Sequence, residues 1–406
     1  MIFFLKKYNN YLNILIICSA IFFWDIEYGL IKLETLIALL ALSIIYDKII
    51  FFYYLKKVRV FYFLILHSII IDLFFDNNFD LISYFKITYI LLLEIIIIKY
   101  LKYISINIDK ICICFFLIFL FYTFFFLYKP SQNCLGCFSI YKEFYTENSH
   151  LGMMAPSIVL FSLFFLIKTK NVIYGIFFLL FCLILLNNLS STFFLGIIFS
   201  ILFISLNILK NYEKKNILKY FLLIIFLIIF LLNNSIKYDL KSRLENFNIK
   251  DIFLIVKEKN NDNNIKKYNL KKFNLNLSTE VYLKSLISSY DIFKNNIFGV
   301  GFDQYKNNSK NDNFIFKENL TNKLNNIDAS QNLAKGISEF GILYLYIFYI
   351  MIKFTINQNI SFELKNFFIP ILVTQLLFRG AGFFNGGFLL SFLFIYHLIS
   401  KMKNSK

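Results

Sequence analysis

Apolar residues are grouped along this chain in blocks of roughly twenty, and short polar connectors separate the blocks. A helix rises about 1.5 Å per residue, so about twenty residues cover the roughly 30 Å hydrocarbon core of a bilayer. Because a backbone in lipid must satisfy its own hydrogen bonds, such blocks are expected to be helices. They do not show the alternation typical of transmembrane β-strands. The pattern therefore predicts an all-α integral membrane protein with about 12 transmembrane helices.

The predicted spans divide the chain into three parts. Spans 1–9 fall in residues 1–232, a large polar loop occupies 233–336, and spans 10–12 with a terminal tail occupy 337–406. The predicted spans are 11–24, 29–46, 60–75, 81–99, 111–128, 151–167, 171–187, 192–209, 216–232, 337–354, 366–378 and 387–400. The stretch from Lys48 to Leu55 could extend the second span.

The charges of the connectors predict the orientation of the spans. Lysine-rich connectors, such as Lys56/Lys57 and Lys168/Lys170, alternate with acidic ones, such as Asp76/Asp80. Lysine and arginine are enriched on the cytoplasmic side of membrane spans. Both termini are therefore expected in the cytoplasm, and the 233–336 loop is expected outside it.

The second half of the loop predicts a helix. Ser278 or Thr279 could cap it, with Glu280 in the first turn. Apolar residues then recur at helical spacing on one face, at Leu283, Leu286, Ile287, Tyr290 and Phe293. Glu280, Lys284, Ser288 and Asp291 occupy the opposite face, which is interpreted either as functional or as the solvated face of the helix.

Composition narrows the possible partners. The chain is 58% hydrophobic and 17% charged, which excludes an ordinary soluble protein, and its net charge of +17 could suggest nucleic acid. Most of that charge is lysine beside predicted spans, where it orients them, so no nucleic acid partner is expected.

Cys134 and Cys137, in a connector predicted to lie outside, could form a local disulfide. Zinc would need more ligands than His150 supplies there, so neither a metal nor a cofactor is expected.

Two motifs around the end of the loop resemble a known family. FKNNIFGVGF occupies 293–302 and is predicted to join a helix to a Gly-x-Gly turn at 299–301. QNLAKGISEFGIL occupies 331–343 and runs into the tenth span. With FYTENSHLG at 144–152 and LSST at 189–192, this order resembles the O-antigen polymerase and O-antigen ligase family of bacterial envelope proteins. The sequence match covers about fifty residues. Asn296 replaces the family's usual proline, and Thr192 or Phe193 stands where an arginine is often found.

The resemblance implies a glycosyl transfer at the outer face of the bacterial inner (cytoplasmic) membrane. A glycan on a polyprenyl diphosphate would move to the sugar of a second lipid-linked repeat unit, with membrane lipid and other envelope polysaccharide assembly proteins as partners. The ligases carry a histidine where this chain has Gln331, and the 233–336 loop has no histidine at all. That difference favours the polymerase over the ligase.

Such a reaction needs cations for the diphosphate and a base for the attacking hydroxyl. The candidate catalytic residues are Arg243, Arg379, His150, Glu280 and Lys284. The candidate substrate-binding residues are Gly299, Gly301, Asp303, Asn332, Lys335 and Glu339. Structural roles are the alternatives: the arginines as membrane-surface anchors, Lys335 and Glu339 as a helix-surface ion pair, and Asp303 as a turn residue.

Charged residues inside predicted spans form a further group of candidates. Glu94 lies deep in the fourth span, with Lys86 nearer its outer end, and such charges are either functional or paired within the bundle. His67 and His397, also in apolar spans, are interpreted as structural.

Two other function classes remain alternatives. A polysaccharide flippase or other transporter could have twelve spans, but transporters usually show matching halves and short loops. A polyprenyl-phosphate-sugar glycosyltransferase could use acids in the first outer loop, which Asp25 and Glu27 imitate. Such enzymes tend to place their soluble mass in the first loop or after the last span, unlike this chain.

Overall fold

The structure, a computed structural model, describes most of the chain between residues 48 and 403. The described residues are 21, 27–28, 31–32, 48–75, 81–108, 110, 113, 117, 148–187, 191–211, 222, 225, 229, 268–269, 277–309, 314–315, 326, 328–380 and 382–403. Arg243, Cys134 and Cys137 lie outside them, as do most of the predicted spans 1, 2, 5 and 9.

The regular secondary structure of the described residues is helical apart from four two-residue strands. Its helices are α1 (Lys48–Leu55), α2 (Arg59–Phe75), α3 (Leu81–Ile106), α4 (Asn148–Thr169), α5 (Val172–Asn187), α6 (Ser191–Asn211), α7 (Leu277–Asn295), α8 (Tyr305–Asn308), α9 (Asn332–Phe340), α10 (Leu345–Ile356), α11 (Phe362–Leu377) and α12 (Phe388–Lys403). A 3₁₀ turn, Gly341–Tyr344, joins α9 to α10. Strand β1 (Glu27–Tyr28) pairs antiparallel with β2 (Ile31–Lys32), and β3 (Tyr268–Asn269) pairs parallel with β4 (Phe314–Ile315).

Eight predicted spans coincide with observed helices, namely spans 3, 4, 6, 7, 8, 10, 11 and 12. Helix α3 runs to Ile106, beyond the predicted end at 99, and α9 begins five residues before the predicted start of span 10 at 337. Residues Lys48–Leu55, which could extend the second span, form helix α1, whereas Ile31–Lys32 at the start of that span is a strand. The residues that join the two, 33–47, lie outside the described residues, so this expectation stays a prediction. Helix α7 begins at Leu277, so Ser278 and Thr279 lie inside its first turn.

Helices α4, α6 and α11 pack together as the centre of the core. Phe161 of α4 lies edge-to-face on Phe367 of α11, with ring centroids 5.7 Å apart. A Cβ atom added to Gly196 of α6 would lie 2.4 Å from Oγ1 of Thr374 and 2.9 Å from Cγ of Pro156. The absence of a side chain at Gly196 is therefore what lets the three helices approach so closely, as small residues do in membrane helix bundles.

Helices α2, α3 and α12 are joined by a buried carboxylate. Glu94 of α3 is fully buried, and its two carboxylate oxygens accept hydrogen bonds from the backbone N–H groups of Arg59, Val60 and Phe61 at 3.0–3.1 Å. His397 Nε2 lies 2.9 Å from Oε1 of the same carboxylate. Glu94 thus satisfies the unpaired N–H groups that begin α2, which agrees with the expectation that this charge is paired within the bundle.

Within the residues that the structure describes, two helical segments are long and apolar enough to cross a membrane, by length and composition. They are Gly152–Thr169 and Asn332–Ile356. Thr192–Ser205 and Phe388–Met402 are shorter apolar helices. These segments favour a membrane-associated protein.

Candidate functional site

One face of α9 carries a stack of polar side chains. Gln331, Lys335 and Glu339 are spaced four residues apart, so they lie above one another on the same side of the helix. The side chain of Lys335 is 4% exposed and that of Glu339 is 0% exposed. Lys335 Nζ lies 3.9 Å from Oε1 of Glu339, which makes them a buried pair. The interpretation of the two as a helix-surface ion pair is therefore wrong.

Two aspartates complete a charged cluster around Lys335. Its Nζ atom lies 3.1 Å from Oδ1 of Asp328 and 3.5 Å from Oδ1 of Asp303. Asp303 also pairs with Lys86 of α3. Asp328 is 39% exposed and Lys86 is 31% exposed, so the cluster extends from the buried Glu339 to the protein surface. We call Lys86, Asp303, Asp328, Lys335 and Glu339 the charged cluster.

Strained backbone surrounds this cluster. Asp303 has φ 62° and Ala329, next to Asp328, has φ 48°, both in the left-handed region. Aspartate tolerates that conformation, whereas alanine does not adopt it readily. Such strain persists only where the surrounding structure enforces it, and it is concentrated at functional sites in proteins generally.

The Gly299-Val300-Gly301 turn closes the end of α9. The N–H groups of Val300 and Gly301 donate to the carbonyls of Ser338 and Glu339, at 2.9 and 3.1 Å. Those carbonyls belong to the last turn of α9, whose C=O groups have no partner within the helix. The turn predicted from the Gly-x-Gly motif is confirmed, and its glycines serve the close contact with α9.

Further backbone contacts show why glycine is needed at positions 299 and 341. Gly299 has φ 87°, and a Cβ atom on it would lie 2.3 Å from the carbonyl oxygen of Glu339. Gly341, at φ 58°, would bring a Cβ atom to 1.8 Å from the carbonyl oxygen of Ile297. A side chain at either position would separate the turn from the helix that carries Lys335 and Glu339.

Helix α7 packs its polar face inwards against α9. Ser289 Oγ donates to the carbonyl of Ala334 at 2.8 Å, and Ser285 Oγ accepts from the N–H of Ser330 at 2.8 Å. Glu280 and Lys284 are 1% and 2% exposed. The interpretation of this face as solvated is therefore wrong, because serine hydroxyls bind it to the segment that begins α9.

The Arg379–Gly387 turn lies over the same segment. The N–H of Gly380 donates to the carbonyl of Ser330 at 2.9 Å, and a Cβ atom on Gly380 would lie 2.5 Å from Oδ1 of Asn332. Gly382, at φ 89°, would bring a Cβ atom to 2.6 Å from Oδ1 of Asp328. Arg379, which is partly exposed, is therefore next to Gly380 and three residues from Gly382, whose backbone approaches Asp328 of the charged cluster.

Two amide side chains beside the cluster are buried without hydrogen bonds. Gln331 and Asn332 are both 0% exposed. Among the residues that the structure describes, neither the oxygen nor the nitrogen of either side-chain amide has a hydrogen-bond partner. Oε2 of Glu339 also has none, although Oε1 accepts from the N–H of Tyr305 at 3.3 Å. Leaving such a group unsatisfied costs about 1–3 kcal/mol, so these groups require an explanation.

Aromatic rings separate the cluster from the helix bundle. Phe302 and Phe383 are stacked with centroids 6.4 Å apart, and Lys335 Nζ lies 5.5 Å from the centroid of Phe383. His67 of α2 contacts Phe340 at a centroid distance of 5.0 Å, and its Nε2 lies 3.1 Å from the carbonyl oxygen of Phe298. His67 therefore holds the glycine turn to the bundle, as its interpretation as a structural residue predicts.

Burial changes the proton affinity of two loop residues. Burial raises the pKa of Tyr305 to about 12, although the hydroxyls of Ser285 and Ser288 oppose the change. Burial lowers the pKa of the Lys284 ammonium to about 8. Lys284 also donates to Oδ1 of Asn326. A lysine with this pKa is partly neutral near pH 8 and can accept a proton.

We predict that Lys284 makes stability depend on pH. In the unfolded chain the lysine stays protonated up to about pH 10.4, whereas in the folded protein it loses its proton near pH 8. The unfolded state therefore binds more protons between these values, and the free energy of unfolding rises with pH across that window. Thermal unfolding of the wild type and Lys284→Met from pH 7.5 to 10 measures the difference. An equal pH dependence in both proteins would contradict the assignment to Lys284.

The structure places all six residues predicted to bind substrate on α9 or on the segments packed against it: Gly299, Gly301, Asp303, Asn332, Lys335 and Glu339. Of the predicted catalytic residues, Arg379 adjoins this group, and Glu280 and Lys284 lie on α7, which packs against α9. His150 is buried in the first turn of α4. Arg243 lies outside the described residues.

Sequence reasoning missed several members of the site. Asp328, Tyr305 and the side chain of Gln331 had not been singled out as site residues, and Lys86 had been considered without its partner Asp303. The spacing of Gln331, Lys335 and Glu339 was the available signal, because it places all three on one helix face.

The arrangement can bind a polar molecule and accept a proton from it. In the described part of the chain, no group of three or more His, Cys, Asp or Glu side chains could hold a metal ion. No protein-family model, curated protein or solved structure matches the chain.

Proposed function

We propose that this protein is an O-antigen polymerase of the inner membrane, which joins polyprenyl-diphosphate-linked oligosaccharide repeat units at the periplasmic face. The observation that carries the proposal is the buried charged cluster with the free oxygen of Glu339. Lys335 and Glu339 of this cluster lie in the motif 331–343, and Asp303 follows directly after the motif 293–302, whose glycine turn packs on the end of α9. The apolar helices support a substrate that is anchored in lipid.

In the proposed reaction, a hydroxyl of the acceptor sugar attacks the anomeric carbon of the donor glycan. A new C–O bond forms as the bond to the diphosphate breaks, and the polyprenyl diphosphate leaves with the electron pair. Oε2 of Glu339, which is free to accept, would take the hydroxyl proton. Lys284 is the second candidate for this role, because its lowered pKa makes a neutral amine available near pH 8.

The composition of the cellular products tests the function. A strain that lacks the gene is expected to accumulate lipid-linked single repeat units, and the wild-type gene should restore polymer. Full-length polymer that is not attached to its final acceptor would instead identify an O-antigen ligase. Normal polymer, fully attached, would contradict both activities.

We predict that Arg379 and Arg243 hold the leaving diphosphate. Losing one charge-assisted contact to a developing charge costs roughly 3 kcal/mol, or on the order of a hundredfold in rate. Arg379→Ala and Arg243→Ala should each lower polymer formation by that factor at equal membrane levels. Replacing either arginine with lysine should keep only part of the wild-type polymer formation. Lysine retains the positive charge but lacks the planar guanidinium that can bind two phosphate oxygens at once. If both alanine variants keep half of the wild-type polymer, the arginines are surface anchors.

We also predict the topology that this function needs, with both termini in the cytoplasm and residues 233–336 outside. The alternation of charged connectors supports this arrangement. Cysteine replaces Asn263 in one variant and Ser405 in another, and intact cells are treated with a membrane-impermeant thiol reagent. Asn263→Cys should react and Ser405→Cys should not. The opposite pattern would invert the topology.

A further inference from the structure

The buried groups beside the charged cluster that lack hydrogen-bond partners include both donors and acceptors. The two amide nitrogens of Gln331 and Asn332 are donors, whereas the two amide oxygens and Oε2 of Glu339 are acceptors only. All five atoms belong to residues 331–339, which are the residue before α9 and the first eight residues of the helix. A ligand that satisfies this set must both donate and accept hydrogen bonds.

Phosphate does not meet this requirement. Its oxygens are acceptors, so they could bind the amide N–H groups but would leave the amide oxygens and the carboxylate unsatisfied. The charges point the same way. The charged cluster contains two lysines against two aspartates and one glutamate, so it has no excess of positive groups. An anion placed here would therefore find no net attraction.

A sugar hydroxyl meets the requirement, because it donates one hydrogen bond and accepts others. Phe383, which lies beside Lys335, offers an apolar surface of the kind on which a sugar ring can rest. Water could satisfy the same atoms, and the experiments below separate the two. The charged cluster reaches the surface at Asp328, whose side chain is 39% exposed.

We propose that Gln331, Asn332 and Oε2 of Glu339 form a subsite for an uncharged, hydroxyl-bearing sugar, which excludes the diphosphate. The assignment of this sugar as the acceptor rests on the proposed function. The diphosphate then binds on the Arg379 side, and the two substrates are kept apart by charge. Gln331 and Asn332 are specificity-determining residues in this account.

The first test needs no ligand. Unsatisfied buried amides destabilise a protein, so the apolar variants Gln331→Met and Asn332→Leu should unfold at a temperature a few degrees above that of the wild type. Asn366→Leu is the matched control, because Asn366 is equally buried but donates to the carbonyl of Phe362 at 2.8 Å. It should unfold at a lower temperature. A lower unfolding temperature in both site variants would show that the amides are structural and would overturn the subsite.

The second test measures binding to the purified full chain in detergent. The probes are inorganic pyrophosphate and the oligosaccharide that mild acid releases from the lipid-linked repeat unit, which lacks the diphosphate. Gln331→Met and Asn332→Leu should each weaken oligosaccharide binding at least tenfold and leave pyrophosphate binding within twofold. Loss of pyrophosphate binding instead would make this an anion site. Unchanged binding of both probes would leave only water at the amides, and either result overturns the subsite.

The two proposals can fail separately. If the variants lose oligosaccharide binding while a strain that lacks the gene makes normal, fully attached polymer, the subsite stands and the polymerase does not. If the deleted strain accumulates single repeat units while both variants bind oligosaccharide normally, the polymerase stands and the subsite does not.

Discussion

Gly299→Ala is expected to abolish polymer formation while the protein still reaches the membrane. The added Cβ atom would lie 2.3 Å from the carbonyl oxygen of Glu339, and the residue has φ 87°. Steric overlap and the left-handed conformation together cost about 2–5 kcal/mol. The turn would move away from α9, and the N–H groups of Val300 and Gly301 would lose the carbonyls that they cap. Polymer length on gels and protein in isolated membranes measure the effect.

Gly175→Ala is the matched control for this substitution. Gly175 lies inside helix α5, and a Cβ atom there would meet the end of the flexible Leu166 side chain at 3.2 Å. Alanine also favours a helix more than glycine does, by about 1 kcal/mol. Gly175→Ala should therefore make polymer of normal length. Normal polymer from Gly299→Ala would show that the glycine turn does not position the site.

Lys335→Met is expected to destabilise the protein by about 3–5 kcal/mol and to stop polymer formation. Removing one partner of a buried ion pair leaves the other charge uncompensated. Without the Lys335 ammonium, no positive charge offsets the repulsion between the carboxylates of Asp303 and Asp328, and Glu339 is buried without its cation. Thermal unfolding in detergent and polymer length are the two measurements.

A second substitution separates stability from activity. Lys335→Met combined with Glu339→Gln removes one buried charge of each sign, so much of the lost stability should return. Polymer should remain absent, because Glu339 accepts the proton in the proposed reaction. If the double variant regains polymer together with stability, Glu339 is not the proton acceptor. If Lys335→Met alone is as stable as the wild type, the charged cluster is not the buried network described here.

The helices were predictable because their signal is local. An apolar block such as 151–167 specifies α4 to within three residues, since its length and composition leave no other structure for a backbone away from water. Gly299 and Gly301 were likewise recognised as a turn, because glycine at close spacing relaxes the backbone restriction. Local patterns of this kind can be recognised without knowing which residues pack against them in the folded protein.

The contacts of the site were not predictable because they join distant parts of the chain. The pairing of Lys86 with Asp303 spans 217 positions, and His397 lies against Glu94 across 303. The polar face of α7 has the composition of a solvated face, yet Ser285 and Ser289 turn it inwards by bonding to the Ser330–Ala334 segment. No spacing within α7 could reveal this, because the partner lies 45 residues away.

Reconstitution tests the central claim most directly. The purified full chain is placed in liposomes with the lipid-linked repeat units that a strain lacking the gene is expected to accumulate, and the lipid-linked products are separated by length. We predict a ladder of products that differ by one repeat unit, together with release of polyprenyl diphosphate, and no ladder with Glu339→Gln. Repeat units that stay single with the correctly folded wild-type protein would contradict the assignment as a polymerase.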